Sequence, residues 1–236
     1  MIGIGNSDTR VFKFFVNDKG SALPNLWALW GNNNSPTVIF VSSQCIILEL
    51  SLNNANVYVA AVYASTSYLT RRELWADLTL VIGRHPGPWH FLGDFNAILG
   101  AHEMCGRRPP PTLSCMDFLH WSNANMLSHL PSFGSFFTWT NGRLGLENVA
   151  LRLDRAICNM DWLNIWQRTT CNTLDRHHSD HHPLLISVEK ANRGQAVPFK
   201  FFKTWTTHDD CRRLVPPELG SNFFRDRCGL PNYRFP

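Results

Sequence analysis

The sequence has no apolar run near the roughly 18 to 20 residues that a membrane-spanning helix needs; the longest, residues 57–64 (Val-Tyr-Val-Ala-Ala-Val-Tyr-Ala), suits a buried strand. Its seven cysteines form no C-x-x-C pair, and an odd number of scattered thiols reads as reduced and mostly structural. No basic flank, apolar h-region or small-residue cleavage site follows Met1, so the expected compartment is intracellular. No internal repeat is visible, which sets aside solenoids and propellers. The body of the chain also lacks a charge excess. Through residue 190 it carries fourteen Lys or Arg and fourteen Asp or Glu, so the whole formal +4 sits in residues 191–236, with eight against four. A basic tail on a neutral body is a weak electrostatic argument for nucleic acid.

What is present is ample material for a core. Of 236 residues 44% are hydrophobic, and nine Trp and sixteen Phe carry more large apolar surface than a disordered chain holds. Residues 1–35 mix Gly, Asn and Asp with short apolar pieces and are the least domain-like segment. Strand-type runs follow at 37–41, 45–50 and 57–64, with Ser and Asn turns between them, and predict an antiparallel meander. Thr70-Arg-Arg-Glu73 reads as a capping box opening a helix with Leu74, Leu78, Val81 and Ile82 on one face, ended by Gly83 and Pro86. Residues 88–93 predict a buried strand and 114–123 a second helix. Residues 136–140, 149–158 and 183–188 predict further strands. Past Lys190, Pro and Gly punctuate short aromatic and basic stretches, as in a linker or tail. The expected organisation is a 1–35 N-terminal remnant, a 36–190 domain and a 191–236 tail.

Three short segments carry chemistry. Gly93-Asp94-Phe95-Asn96 leaves a buried strand with a carboxylate and an amide two residues apart, suited to a phosphate oxygen and a hard cation. The same four residues also suit an Asx turn. Ser179-Asp180-His181-His182-Pro183 places a carboxylate beside an imidazole that titrates near neutrality, or is simply a polar loop. With His177 and His178 it gives two i, i+4 histidine pairs, but no H-E-x-x-H glutamate accompanies them and Pro183 argues against a helix that would hold zinc. Arg152-Leu153-Asp154-Arg155 lies in a strand-like context, where its aspartate is either a salt-bridged surface group or the third group that orients a histidine base.

In order, G-D-F-N, F-T-W-T-N, R-L-D-R and S-D-H-H-P resemble the endonuclease/exonuclease/phosphatase (DNase I-like) superfamily. They are most similar to the endonuclease domain of plant non-LTR (LINE-type) retrotransposons. The resemblance covers about residues 37–190, with further family-like features at Ala61-Val-Tyr-Ala64, Trp75, Pro88-Trp89, Trp162 and residues 199–205 of the tail. It implies an α/β fold, a four-layer sandwich of two packed mixed sheets with helices outside, lacking part of its first strands. It implies Mg²⁺ (or Mn²⁺) held by Asp180, with His181 contacting the scissile phosphate and Asp154 orienting it. Asp94 would position or activate water, Asn96 would bind phosphate, and Tyr63, Thr138 and Ser179 would line the site or the DNA phosphates. The implied reaction is hydrolysis of a phosphodiester in double-stranded DNA, a single-strand nick, in the nucleus. A reverse transcriptase domain would follow in the parent element.

The family's first strands also bring an asparagine, in a W-N-x-R-G-like motif, and a metal-binding glutamate, in a Q-E-T-like motif. Neither occurs here. Residues 3–10 resemble the stretch just after the asparagine motif, and residues 19–30 already resemble a later strand, so Met1 is expected to start late and the glutamate segment to be deleted. Glu49 is the acidic residue of the early strands that could substitute, although its alternating setting reads as an outward position. The expectation is a degenerate endonuclease with impaired or absent activity and unpaired strand edges. Alternatives are an inert or purely binding remnant of the fold, and a phosphatase of the same superfamily.

Overall fold

The computed structural model describes residues 12–20, 23–31, 35–52 and 55–189. The 191–236 tail and the stretch from Gly3 to Arg10 lie outside them. The first described elements are an antiparallel hairpin, β1 (Phe12–Val16) with β2 (Trp27–Gly31). Asn17 fixes its base: its Oδ1 accepts from Asn25 and Leu26 N–H, and its Nδ2 donates to Asn25 Oδ1 and to the Ser42 carbonyl. Within the segment expected to be least domain-like, the described residues thus include a tied-down hairpin. The hairpin has little signature in the sequence because Asn and Gly turns interrupt two five-residue strands.

The meander forms as expected from β3 (Thr37–Val41), β4 (Cys45–Leu52) and β5 (Ala55–Tyr63), all antiparallel. Helix α1 (Tyr68–Arg84) then crosses to β6 (Trp89–Asp94), which lies parallel to β5. The helix starts before the expected capping box. Arg71 N–H already bonds the Ser67 carbonyl, so Thr70 and Glu73 sit inside the helix and cannot cap it. Gly83 stays helical, and His85 ends the helix with its N–H on Val81 and Ile82, ahead of Pro86, which cannot continue it.

A short β7 (Met104–Cys105), helix α2 (Thr112–Ala124) and the two-residue strands β8 (Ser128–His129), β9 (Ser132–Phe133), β10 (Trp139–Thr140) and β11 (Ala150–Leu151) follow. The chain then forms β12 (Asp154–Cys158), α3 (Met160–Ile165), β13 (Arg168–Thr173) and β14 (Leu184–Glu189). The single strand expected at 149–158 is broken in two. Arg152 N–H turns to the Glu103 carbonyl, and Leu153 and Asp154 N–H both turn to Thr138 Oγ1, so β11 and β12 enter different sheets.

The main sheet runs β3-β4-β5-β6-β12-β8. Strand alternation sorts its residues between two faces. Cys45, Ile47, Tyr58, Ala60, Val62, Phe91 and Ile157 pack under α1 and α2 with Leu74, Trp75, Leu78, Phe118 and Trp121. Val57, Ala156 and Cys158 pack against Trp162, Trp166, Cys171 and Leu184 of α3, β13 and β14. The layered α/β arrangement is the expected one. Its second sheet is present among the described residues as short pieces, β14-β13-β9 and β10-β11-β7. Burial pushes the thiols of Cys45 and Cys171 up to about 11 and that of Cys158 to about 12, so these are unreactive core groups.

One core residue carries a cost. His90 on β6 is buried against Trp162, ring centroids 4.6 Å apart, and its Nε2 has no hydrogen-bond partner. Burial holds its pKa at about 3 against an ordinary 6.5. Below pH 6.5 the unfolded chain therefore takes up a proton that the folded chain refuses, and stability falls as pH falls, by up to about 1.4 kcal/mol per pH unit. Replacement by phenylalanine removes this dependence. In urea titrations at pH 7 and pH 5, the stability difference between His90→Phe and wild type should shift toward the variant by about 2 kcal/mol. Equal differences at the two pH values would refute it.

Candidate active site

The register of three strands builds the site. Antiparallel β12 sets Asp154 opposite Asp94 at the end of β6, and parallel β5 sets Tyr63 opposite Asp94 on the other side. Cross-strand partners hold their Cβ atoms about 4.5–5.5 Å apart, so two carboxylates and a phenol share one sheet end. Gly93 permits this close pairing. At φ +132° its missing Cβ would strike the Val62 carbonyl oxygen, so no side chain fits there.

Asp94 is 8% exposed. Asn96, held at φ +45°, donates its backbone N–H to Asp94 Oδ1 at 2.8 Å and its Nδ2 to Oδ2 at 2.9 Å. The other Nδ2 hydrogen goes to the Ala64 carbonyl at 2.8 Å. Burial, then the neighbouring Asp154 charge, push the Asp94 carboxyl up to about 6, with Asn96, His181 and Arg71 opposing the rise.

His181 arrives from the β13–β14 connection, where it pairs as an isolated bridge with Trp139. Its Nδ1 lies 2.8 Å from Asp154 Oδ2, which leaves Nε2 for the cleft. The hydrogen bond to Asp154 is the main reason that its pKa stands above the ordinary value, with burial opposing and the charges of Asp154, Asp94 and Asp180 assisting. Trp139 Nε1 donates to Asp180 Oδ2 at 2.8 Å and holds that carboxyl below its usual range. These groups face a cleft of about 370 Å³ lined by Tyr63, Thr66, Asp94, Asn96, Trp139, Asp180 and His181, with Leu151 and Leu153 as apolar wall. A buried acid near neutrality beside an acid-oriented imidazole can exchange protons at a bound oxygen.

No protein-family model and no curated protein sequence matches the chain. Solved structures do. The endonuclease domain of TRAS1, a telomere-specific non-LTR retrotransposon, superposes with a TM-score of 0.62 at 14% identity, over 77% of this chain and 81% of that one. The 3′ phosphatase NExo from Neisseria, bound to a product DNA hairpin, gives 0.53 at 18% identity, over 76% and 79%. An endonuclease/exonuclease/phosphatase family protein from Leptotrichia buccalis gives 0.51 at 10%, over 78% and 73%. The chain has the DNase I-like fold.

Within the DNase I-like fold, Asp94, Asn96, Asp180, His181 and Tyr63 line one cleft, and Asp154 reaches it through its bond to His181. Two other residues lie elsewhere. Thr138, expected to line the site, is wholly buried, and its hydroxyl accepts from Leu153 and Asp154 N–H at 3.0 and 2.8 Å. It sets the entry of β12 and so aims Asp154. Ser179 stands outside the cleft wall and takes the His181 N–H at 3.1 Å. Asn96, expected on phosphate, spends both amide hydrogens on Asp94 and Ala64 and orients the carboxylate instead.

Glu49 does not replace the absent glutamate. It is the register partner of Tyr58, five residues and about 17 Å along β5 from Tyr63, and it accepts from Asn56. Among the described residues no group of three or more His, Cys, Asp or Glu side chains is placed to hold a metal ion, His177 and His178 included. Both Asp94 oxygens accept from Asn96, Asp154 Oδ2 is bonded to His181 and Asp180 Oδ2 to Trp139, so among the described residues Asp154 and Asp180 each keep one carboxylate oxygen without a hydrogen-bond partner. These residues do not fit a closed Mg²⁺ site, which needs several oxygen ligands in octahedral geometry.

Thr66 and Trp139 of the cleft wall were not singled out as site residues. Thr66 follows a strand exit three residues after Tyr63, much as Asn96 follows Asp94, and that position was the available signal. The His181–Asp154 bond is testable directly. In an NMR titration the His181 ring should titrate above 6.5 in wild type, and in Asp154→Asn it should fall to or below that value. An unchanged midpoint would mean that the bond does not form in solution.

Proposed function

We propose that this chain is an endonuclease-like domain derived from a plant-type LINE retroelement, directed at phosphodiester bonds of double-stranded DNA, with hydrolysis weakened by its incomplete cation site. The observation that carries the reading is that three separate motifs meet at one sheet end: Asp94 and His181 line one cleft, and Asp154, the strand partner of Asp94, bonds His181. The likeness in fold to an endonuclease domain of a non-LTR retrotransposon and to a phosphatase bound to DNA supports it.

A phosphate seated in the cleft meets His181 Nε2, which can donate to a non-bridging oxygen while Asp154 stabilises the imidazolium. Asp94, with a pKa of about 6, is matched to taking a proton from an attacking water near neutral pH. The resemblance calls for Mg²⁺ or Mn²⁺ to offset charge at phosphorus, and Asp180, which lines the cleft, has one carboxylate oxygen without a hydrogen-bond partner among the described residues.

The incomplete donor set favours a second outcome, a remnant that keeps the cleft and has lost turnover. Supercoiled plasmid incubated with the purified full chain, with and without Mg²⁺, decides between them. The expected result is slow conversion to open circles that needs millimolar Mg²⁺ and disappears in His181→Ala. No conversion by well-folded wild-type protein would establish the remnant.

A further inference from the structure

Arg71, on the first turn of α1, is 4% exposed, yet no ion pair among the described residues includes it. Burying a guanidinium costs several kcal/mol unless its hydrogen bonds are met and its charge has a use. Its hydrogen bonds are met by backbone and a hydroxyl. Nη1 donates to the carbonyls of Ser65 at 2.7 Å and Thr66 at 3.0 Å, and Nη2 to Ser114 Oγ on α2. The carboxylate that feels its charge most is Asp94, the buried acid of the cleft.

The two carbonyls lie in the short crossover from β5 to α1, between Tyr63 and the helix, and that crossover is pinned at each residue. Ala64 N–H bonds the Asp94 carbonyl and its own carbonyl takes Asn96 Nδ2, while Ser65 N–H bonds Gln44 Oε1 at 2.7 Å. Ser67 N–H is taken by Ser65 Oγ. Among the described residues Thr66 N–H alone in this crossover has no partner, although Thr66 lines the cleft. In a trans peptide the N–H and C=O point in opposite directions. With the Ser65 carbonyl drawn onto Arg71, the Thr66 N–H of the same peptide unit is turned away from Arg71, on a residue that lines the cleft. A carbonyl bonded to a cation also polarises its peptide and strengthens the N–H as a donor.

Resting on the phosphodiester reading above, we propose that Arg71 is a positioning residue: it turns the Thr66 peptide so that its N–H receives a phosphate oxygen in the cleft, and it supplies the buried positive charge that balances the bound anion. The arrangement gives the substrate a fixed donor opposite His181. It also explains an arginine that is buried without a carboxylate: a paired guanidinium would be neutralised and could not serve an anion.

The test follows amide and imidazole resonances of the full-length, isotope-labelled chain while a short DNA duplex is added. The proposal expects the Thr66 amide and the His181 ring to shift together in wild type. In Arg71→Met the Thr66 response should be lost, with duplex affinity about tenfold lower, while His181 still responds; Arg71→Lys, which keeps the charge and one carbonyl bond, should restore part of the Thr66 shift. A wild-type His181 response with a silent Thr66 amide overturns the role of Arg71 and leaves the phosphodiester reading standing. Silence of both resonances overturns the two together. If Arg71→Met does not fold, the wild-type and Arg71→Lys responses decide the matter on the same terms.

Discussion

The pairing of β12 with β6 in the register that sets Asp154 opposite Asp94 is the constraint on which the site depends. A one-residue slip would send Asp154 to the other face of the sheet and take His181 with it, because that imidazole is held by Asp154 and not by its own loop alone. Two carboxylates on neighbouring strands repel, and the structure answers with local neutralisation. Asn96 gives Asp94 two hydrogen bonds, His181 gives Asp154 one, and Arg71 stands buried behind the crossover. The Asp94 carboxyl at about 6 is what remains of the repulsion and burial after these contributions.

The register is enforced from outside the cleft. Thr138 Oγ1 takes the N–H groups of Leu153 and Asp154, which ends β11 and starts β12 at the aspartate. One residue further on, Arg155 is 1% exposed and forks onto Glu103 at 3.0 and 2.6 Å, while Glu103 also takes Leu99 N–H at 2.6 Å. The segment that follows Asn96 is thereby tied to the strand that carries Asp154. Removing one partner of such a buried pair leaves an uncompensated charge, worth about 3–5 kcal/mol. Its effect would fall on the geometry of both aspartates at once, since each belongs to one of the two segments that it joins.

How much of this was legible in the sequence depends on how local the cause is. β3, β4, β5, β6 and β14 followed from alternation and apolar runs, and the carboxylates and His181 followed from short motifs at strand ends. The start of α1 did not follow, because a capping box and an interior helical turn have the same residue types, and the choice is made by Arg71 reaching back to Ser65 and Thr66. The role of Thr138 was not legible either. Its spacing from Asp154 in sequence carries no information about a hydroxyl that bonds two N–H groups across a sheet boundary. α3 and β13 were missed for a different reason: their six residues each are too short for a period to emerge, and tertiary packing of Trp162, Trp166 and Cys171 decides them.

The same internal bonding bears on what the missing glutamate means. A cation site needs several ligand groups converging on one point, and among the described residues no such group is found. Here Asp94 and Asp154 have their nearest donors in Asn96 and His181, and Asp180 is held on one side by Trp139. On the proposed reading, Asp94 and His181 would therefore keep their places through Asn96 and Asp154 without a cation, while the oxygen ligands fall short of a full set. Loss of one carboxylate from the early strands would thus remove charge stabilisation at phosphorus and leave the acid and the imidazole in place. On the phosphodiester reading proposed above, the expected consequence would be slow hydrolysis by a site that keeps its shape. On the proposed reading, the buried charge of Arg71 would be a fixed cation beside the cleft that does not depend on that ligand.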